Sequence, residues 1–503
     1  MQFLKLRKCF IAFIVFAFLA IPIFTVSADD GLEFDPDNWV IKTVTDGDLT
    51  VTCRAYENIV YVSNPVDTVY QSMNIYIPEG YENSRTAPIF FPNGVGGYMP
   101  AKPAVIDQSG GMFWDTRPHT MLVALSKGYI VAAPGCRGST LVDGKGVYYG
   151  KAPTGIVDLK AAVRYLRYND AVMPGDAERI ISNGTSAGGA MSSLLGATGN
   201  SKDYEPYLIA IGAADERDNV FAASCYCPIT NLENSDMAYE WQFNGIFEYT
   251  GFGPIGPGGT LTEEQIVFSD ILKPMFSAYL NRLRLWTNKY KNTKYYKPWE
   301  KKSCRYGNKK TVLLSLDEYG EGNFNEYVKS FVIASVQKAL DDGQDLSGPE
   351  FGWITINNGI VNDVHLFGYS LYAKRMKAVP AFDSAGNPEC DLFGDEDSNK
   401  QHFTRFSYER IGGLDLADAQ IIKMMNPMDY IDARGAKIAK HWRIRHGLID
   451  TSTSIAIPII LVTKLRNAGC NVDFGFPWGQ EHGGDYDLDE LFDWMDNICN
   501  TKP

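Results

Sequence analysis

The stretch Arg179–Leu195, RIISNGTSAGGAMSSLL, sets the narrowest limits on how this chain can fold. A short apolar run at Ile180-Ile181 leads into Gly184-Thr185-Ser186-Ala187-Gly188. Beyond it, Ala190, Met191, Leu194 and Leu195 recur at helical spacing, and Gly199 is a natural stop. A strand that turns into a helix through G-x-S-x-G forms a nucleophile elbow, whose strained turn lifts the serine oxygen above the sheet. The glycines are needed because strand and helix run too close together to admit side chains.

The surrounding text supplies the sheet that such an elbow requires. Residues 29–85 read as an antiparallel entry region, with β-rich runs at Ile59–Val62 and Met73–Ile77. PIFFPNGVGGYMP at 88–100 is an apolar strand entering a glycine-rich loop, and KGYIVAAPGCRG at 127–138 is a second buried strand. Residues 155–170 carry Ile156, Leu159, Val163 and Leu166 on one helical face, and VFAASCYCPIT at 220–230 reads as the strand after the elbow helix. Alternation of this kind predicts an α/β fold, a mostly parallel sheet with helices on both faces.

From residue 229 to 425 the rhythm breaks. This stretch has dense aromatics (Trp241, Phe243, Phe247, Tyr249, Phe252), a Gly/Pro run at Gly251–Gly259 and basic-aromatic helical text at Leu280–Tyr296. The α/β pattern returns at 426–447. We therefore expect residues 29–228 and 426–503 to be two parts of one core, and 229–425 to be an inserted lid forming one wall of the site.

The first 28 residues read as an export signal. Lys5, Arg7 and Lys8 precede the apolar stretch Cys9–Phe24, and Val26-Ser27-Ala28 offers small residues for cleavage. The run is short for a membrane span and contains Pro22, so the mature protein is expected to be exported, secreted or periplasmic, without stable membrane association. Losing the three basic residues takes the net charge from −13 to −16. Such a surface repels nucleic acid and suits a neutral substrate. Eight cysteines remain after cleavage, a number that permits disulfides without choosing a pairing. Cys225 and Cys227 read as neighbours in a buried strand, and no C-x-x-C pair suggests zinc. Oligomeric state is left open.

A serine needs a base to take its proton and an acid to orient that base, and after an elbow these follow in the order acid, histidine. Val472, Phe474, Phe476 and Trp478 alternate along NVDFGFPWGQEHGGD, a strand ending near Trp478, with His482 in the glycine-rich loop beyond and a final helix at Leu488–Cys499. Upstream, HWRIRHG at 441–447 reads as a strand with Asp450 just past its end, followed by a helix at Pro458–Ala468. Ser186, His482 and Asp450 are therefore the expected nucleophile, base and acid. Of the other histidines, His441 and His446 flank a strand, while His119, His365 and His402 lack this context. The oxyanion donors are expected to be the amides of Ala187 and of Gly97 or Gly96 in the Asn93–Tyr98 loop. These steps need no metal and no organic cofactor.

With those residues assembled, GTSAGGAMSSLLGATGN at 184–200, the text at 203–241 and HWRIRHGLIDTSTS at 441–454 resemble bacterial tannases, α/β-hydrolases with a large lid inserted between serine and acid. The resemblance implies a tannase-like serine esterase that cleaves galloyl-type aromatic esters, a small-molecule substrate. Ser186, Asp450 and His482 fall on the family's triad positions. It also implies ring-hydroxyl contacts from Lys374 (with Lys377 as the alternative), Glu389 and Ser452. Serine stands at 452 where the family has aspartate, and one hydroxyl replaces a carboxylate that could accept from two phenols. An unpaired polar group in such a pocket costs about 1–3 kcal/mol, enough to blunt a galloyl preference tenfold. Feruloyl or other phenolic esters are the alternative substrates. A serine peptidase and a non-catalytic protein of the same fold are the remoter readings, and the complete set of serine, acid and histidine argues against the last.

Overall fold

The computed structural model describes residues 31–107, 117–251, 256–289, 310–379 and 388–500. The expected export signal, residues 1–28 with Cys9, lies outside them, as do Phe252 and Cys304. Nine strands make one sheet: β1 (Val40–Asp46), β2 (Leu49–Val60), β3 (Ser72–Pro78), β4 (Pro88–Pro92), β5 (Ile130–Pro134), β6 (Asp176–Thr185), β7 (Ala222–Tyr226), β8 (His441–Arg445) and β9 (Asn471–Gly475). Their spatial order is β1-β2-β3-β5-β4-β6-β7-β8-β9. The β1–β2–β3 edge is antiparallel and joins β5 antiparallel, whereas from β5 to β9 every neighbouring pair is parallel.

The longer helices are α1 (Arg117–Ser126), α2 (Thr154–Tyr168), α3 (Ala187–Ala197), α4 (Ser235–Phe243), α5 (Glu263–Leu283), α6 (Asn323–Asp341), α7 (Leu366–Ala373), α8 (Ala456–Asn467) and α9 (Leu488–Asn500). The central strands are apolar on both sides, and alternate residues feed two separate cores. Ile89, Phe91, Ile180, Ala223 and Ile444 pack with α2, α3 and α8, while Phe90, Val131, Ile181 and Ala222 pack with α1 and α9. Helices thus cover both faces, as the alternating sequence predicts.

Four local features go beyond the sequence pattern or differ from it. First, α2 buries its apolar face as expected and its other residues too, from Gly155 to Arg167. Its charged residues are neutralised in place, Lys160 by Asp218 at 2.7 Å and Arg164 by Asp218 and Glu205 at 3.1 and 2.7 Å. Second, β9 stops at Gly475, well before Trp478, because Pro477 has no amide to offer a ladder. Third, α8 begins at Ala456, leaving Pro458 in the first turn where its missing N–H is harmless. Fourth, of the helical text at Leu280–Tyr296 the described part, Leu280–Lys289, is helix only to Leu283, and residues 290–296 lie outside the described residues. Arg284 turns left-handed with φ 51°, and a strand at Trp286–Lys289 pairs with Lys310–Leu313.

The segment between β7 and β8 packs directly on the sheet's α8 side. Phe331 of α6 meets Phe474 of β9 edge-on, with ring centroids 5.3 Å apart. Two hydrogen bonds fasten the same segment to the loops beyond β8: Tyr369 Oη donates to the Leu448 carbonyl at 2.6 Å, and the Ile455 amide donates to Gln242 Oε1 at 2.9 Å. No helix among the described residues is long and apolar enough to cross a membrane.

Candidate active site

Ser186 is the single residue between the end of β6 and the start of α3, and its backbone is left-handed, φ 61° and ψ −122°. A non-glycine residue there stores strain, which surrounding bonds must hold. Its amide donates to the Tyr226 carbonyl at 3.0 Å, and its carbonyl accepts from the amides of Ala190 at 2.9 Å and Ile229 at 3.3 Å. The flanking glycines leave no room for side chains: a Cβ on Gly184 would lie 2.3 Å from the Gly188 carbonyl oxygen.

The three expected partners meet. His482 Nε2 is 2.8 Å from Ser186 Oγ, and His482 Nδ1 is 2.8 Å from Asp450 Oδ2. Asp450 is buried, and its second oxygen accepts the Ser452 amide at 2.9 Å. Burial alone would raise the Asp450 pKa, but His482, His446 and the Ser452 amide together hold it far below the carboxylate range. Burial works against a charged imidazole at His482, and the carboxylate of Asp450 and the thiol of Cys227 outweigh it, so its pKa is raised. About 28% of the His482 side chain remains accessible, which leaves the base open to substrate and water.

Two neighbours were not singled out in the sequence. His446 is fully buried, with Nδ1 3.6 Å from Asp450 Oδ2, and burial depresses its pKa so that it stays neutral behind the acid. Cys227 is not a strand residue: β7 ends at Tyr226, Cys227 turns to φ 35°, and its Sγ lies 3.3 Å from the Gly483 carbonyl beside His482. Its Sγ and one ligand atom each of Asp450 and His482 lie within 4.8 Å of one another. None of the seven described cysteines forms a disulfide.

The glycine-rich loop after β4 is locked to the elbow. Asn93 Nδ2 donates to the carbonyls of Asn183 and Gly188 at 3.0 and 3.1 Å and meets Ser192 Oγ at 3.0 Å. Gly97 has φ 54°, a conformation that suits glycine. Tyr98 Oη donates to the Ile229 carbonyl at 2.6 Å, tying this loop to the residue whose amide holds Ser186. Among the described residues no group accepts from the amides of Gly96, Gly97 or Ala187.

Next to Ile229 lies a narrow cleft lined by Ile229, Leu232, Ser235, Asp236, Tyr239, Lys377, Glu389, Phe403, Ser452 and Thr453. Two of the three expected ring contacts, Glu389 and Ser452, line it. Lys374 does not. It is exposed at the end of α7 with φ 65°, and Lys377 lines the cleft instead. The reason is Arg375, which turns inward to a fully buried ion pair with Glu240 at 2.6 Å and donates through Nε to the Lys377 carbonyl at 2.7 Å. Tyr239 Oη accepts the amides of Met376 and Lys377 at 3.1 and 3.2 Å, completing the clamp.

A parallel sheet carrying a strained serine elbow, with serine, histidine and aspartate hydrogen-bonded in series, is the architecture of an α/β-hydrolase. Comparison with known proteins narrows this. The crystal structure of Fusobacterium nucleatum tannase is 48% identical, with a TM-score of 0.82 over 93% of this chain and 99% of that one. The native tannin acyl hydrolase from Lactobacillus plantarum is 42% identical, with a TM-score of 0.85 over 94% and 99%. A tannin acyl hydrolase in complex with ethyl gallate is 42% identical, with a TM-score of 0.84 over the same shares. The family model described as BD-FAE matches residues 96–240, and no curated protein sequence matches the chain. The chain belongs to the bacterial tannase family and is a carboxylic ester hydrolase.

Proposed function

We propose that this protein hydrolyses esters of hydroxylated aromatic acids, galloyl esters foremost, through an acyl-enzyme on Ser186. The observation that carries the reading is the unbroken pair of 2.8 Å contacts from Ser186 through His482 to Asp450, beside a cleft holding Lys377 and Glu389. Relatives in complex with ethyl gallate and with 3,4-dihydroxybenzoate support the choice of acid.

In the first step His482 Nε2 takes the Ser186 proton as Oγ attacks the ester carbonyl. Asp450 holds the proton on Nδ1 and stabilises the imidazolium that forms. The tetrahedral oxyanion is received by the amide of Ala187 and that of Gly97 or Gly96, groups with no acceptor among the described residues. Collapse returns the proton from His482 to the leaving alcohol. Water then enters and attacks the acyl carbon as His482 takes its proton; the bond to Ser186 Oγ breaks, His482 returns the proton to that oxygen, and the acid leaves.

The test compares wild type with Ser186→Ala on methyl gallate, methyl ferulate and methyl benzoate. We expect kcat/KM on gallate to exceed that on ferulate at least tenfold. Ser186→Ala should lose about 10⁴-fold or more. Gallate turned over no better than ferulate would overturn the substrate class, and activity surviving in the alanine variant would overturn the mechanism.

We also propose that the enzyme acts outside the cytoplasm, on the strength of Lys5, Arg7, Lys8, the apolar run after them and the small residues Val26-Ser27-Ala28. A mature N-terminus at Asp29 in material recovered outside the cytoplasm is the expected result. An intact Met1 on cytoplasmic protein would contradict it.

A further inference from the structure

Asp236 is a buried carboxyl that the fold does not pair. It sits in the first turn of α4, is only 8% exposed, and lines the cleft beside Ser186. No hydrogen bond or ion pair reaches it among the described residues. Buried acids are ordinarily paired, because leaving one unpaired costs stability. Its neighbour Glu240, four residues and one turn on, follows that rule through Arg375, and the contrast marks Asp236 as an exception.

The cleft around it has two kinds of wall. Ile229, Leu232 and Phe403 are apolar and suit a flat ring, while Lys377, Glu389 and Asp236 supply one cation and two carboxyls. A phenol hydroxyl is both donor and acceptor. A carboxylate takes its proton, a protonated carboxyl can also donate, and an ammonium donates to its oxygen. Three such groups around one ring match adjacent hydroxyls better than an unsubstituted or singly hydroxylated ring. The ring end of Ser452 offers only one short hydroxyl, so the second carboxyl of the cleft is the one on α4.

We infer that Asp236 is a specificity-determining residue that hydrogen-bonds a hydroxyl of the substrate's acyl ring, selecting esters of vicinally polyhydroxylated benzoic acids. The inference rests on the reading that aromatic esters are the substrates. Burial raises the Asp236 pKa to about 7, Lys377 pulling it down and Glu240 and Glu389 pushing it up, so the group can meet a neutral phenol without a buried full charge. The clamp from Tyr239 and Arg375 fixes the Lys377 backbone against the same helix that carries Asp236, so both residues enter the cleft from one rigid unit.

The test measures kcat and KM for wild type and Asp236→Asn on methyl gallate, methyl 3,4-dihydroxybenzoate, methyl 4-hydroxybenzoate and methyl benzoate. Asparagine keeps the size and removes the acid. We expect the ratio of kcat/KM on gallate to that on benzoate to fall at least tenfold, mainly through KM. The two-hydroxyl ester should suffer nearly as much as gallate, and the one-hydroxyl ester far less. An unchanged ratio in a variant that melts like wild type would overturn the inference, as would an equal loss on all four esters. If Asp236→Asn does not fold, Asp236→Ser carries the same comparison. Wild type preferring none of the hydroxylated esters would instead sink the proposed function, so the two failures are told apart by the wild-type series alone.

Discussion

Tyr98 Oη donates to the Ile229 carbonyl at 2.6 Å, and Ile229 in turn donates its amide to the Ser186 carbonyl. One buried hydroxyl thus joins the loop carrying Gly96 and Gly97 to the turn carrying the serine. Tyr98→Phe leaves that carbonyl unpaired in the interior, which costs roughly 1–3 kcal/mol. We predict a loss of stability of that size by denaturant unfolding. Steady-state kinetics should show kcat down about tenfold with KM within about twofold. A variant with wild-type kcat would separate this loop from the oxyanion.

The elbow tolerates no added carbon. A Cβ on Gly188 would lie 2.8 Å from Asn93 Oδ1 and 2.9 Å from the Val95 carbonyl oxygen. Either the helix or the Asn93 loop must give way, and a displacement near 1 Å at reacting groups costs about a hundredfold in rate. Gly188→Ala is expected to lower kcat by that factor or more. A folded variant within threefold of wild type would contradict the packing described.

Protonated His482 cannot accept the Ser186 proton, so activity appears as pH rises through its pKa. That pKa is raised by Asp450 and Cys227 against the pull of burial. The acid limb of kcat/KM on p-nitrophenyl acetate, which has no ionisable ring hydroxyl, should therefore have its midpoint above about 6.5, the value of a free imidazole. A midpoint at or below that value would show that burial wins.

Glu240 and Arg375 are both fully buried, so removing one partner strands the other's charge. Glu240→Ala should cost about 3–5 kcal/mol, whereas replacing both partners by apolar residues of similar size should recover much of it. KM on hydroxylated esters should be raised in the double variant even as stability recovers, because the bond from Arg375 to the Lys377 carbonyl is lost there. Recovery of KM along with stability would detach Lys377 from substrate binding.

How far the sequence could be read depended on how local each signal was. The elbow, the strand before Asp450 and the loop holding His482 each carry their pattern within about fifteen residues, and those three side chains come together as expected. The choice between Lys374 and Lys377 depended on a long-range fact, the burial of Arg375 against Glu240, which lies 135 positions away. His446 lies only four positions from Asp450, but no periodic pattern marks the turn that brings its ring to the carboxylate, so its place behind the acid was not read either. The burial of the charged residues of α2 was invisible for the same reason: only Asp218 and Glu205, brought in from other segments, make the burial of Lys160 and Arg164 tolerable.

The account stands or falls on which hydroxyl attacks the ester. A fluorophosphonate probe reacts only with a serine made nucleophilic by its surroundings, and digestion followed by mass spectrometry locates the adduct. We predict a single adduct on the peptide carrying Ser186, formed in step with the loss of esterase activity and absent from Ser186→Ala. An adduct on another residue, or inactivation that leaves Ser186 unmodified, would contradict it.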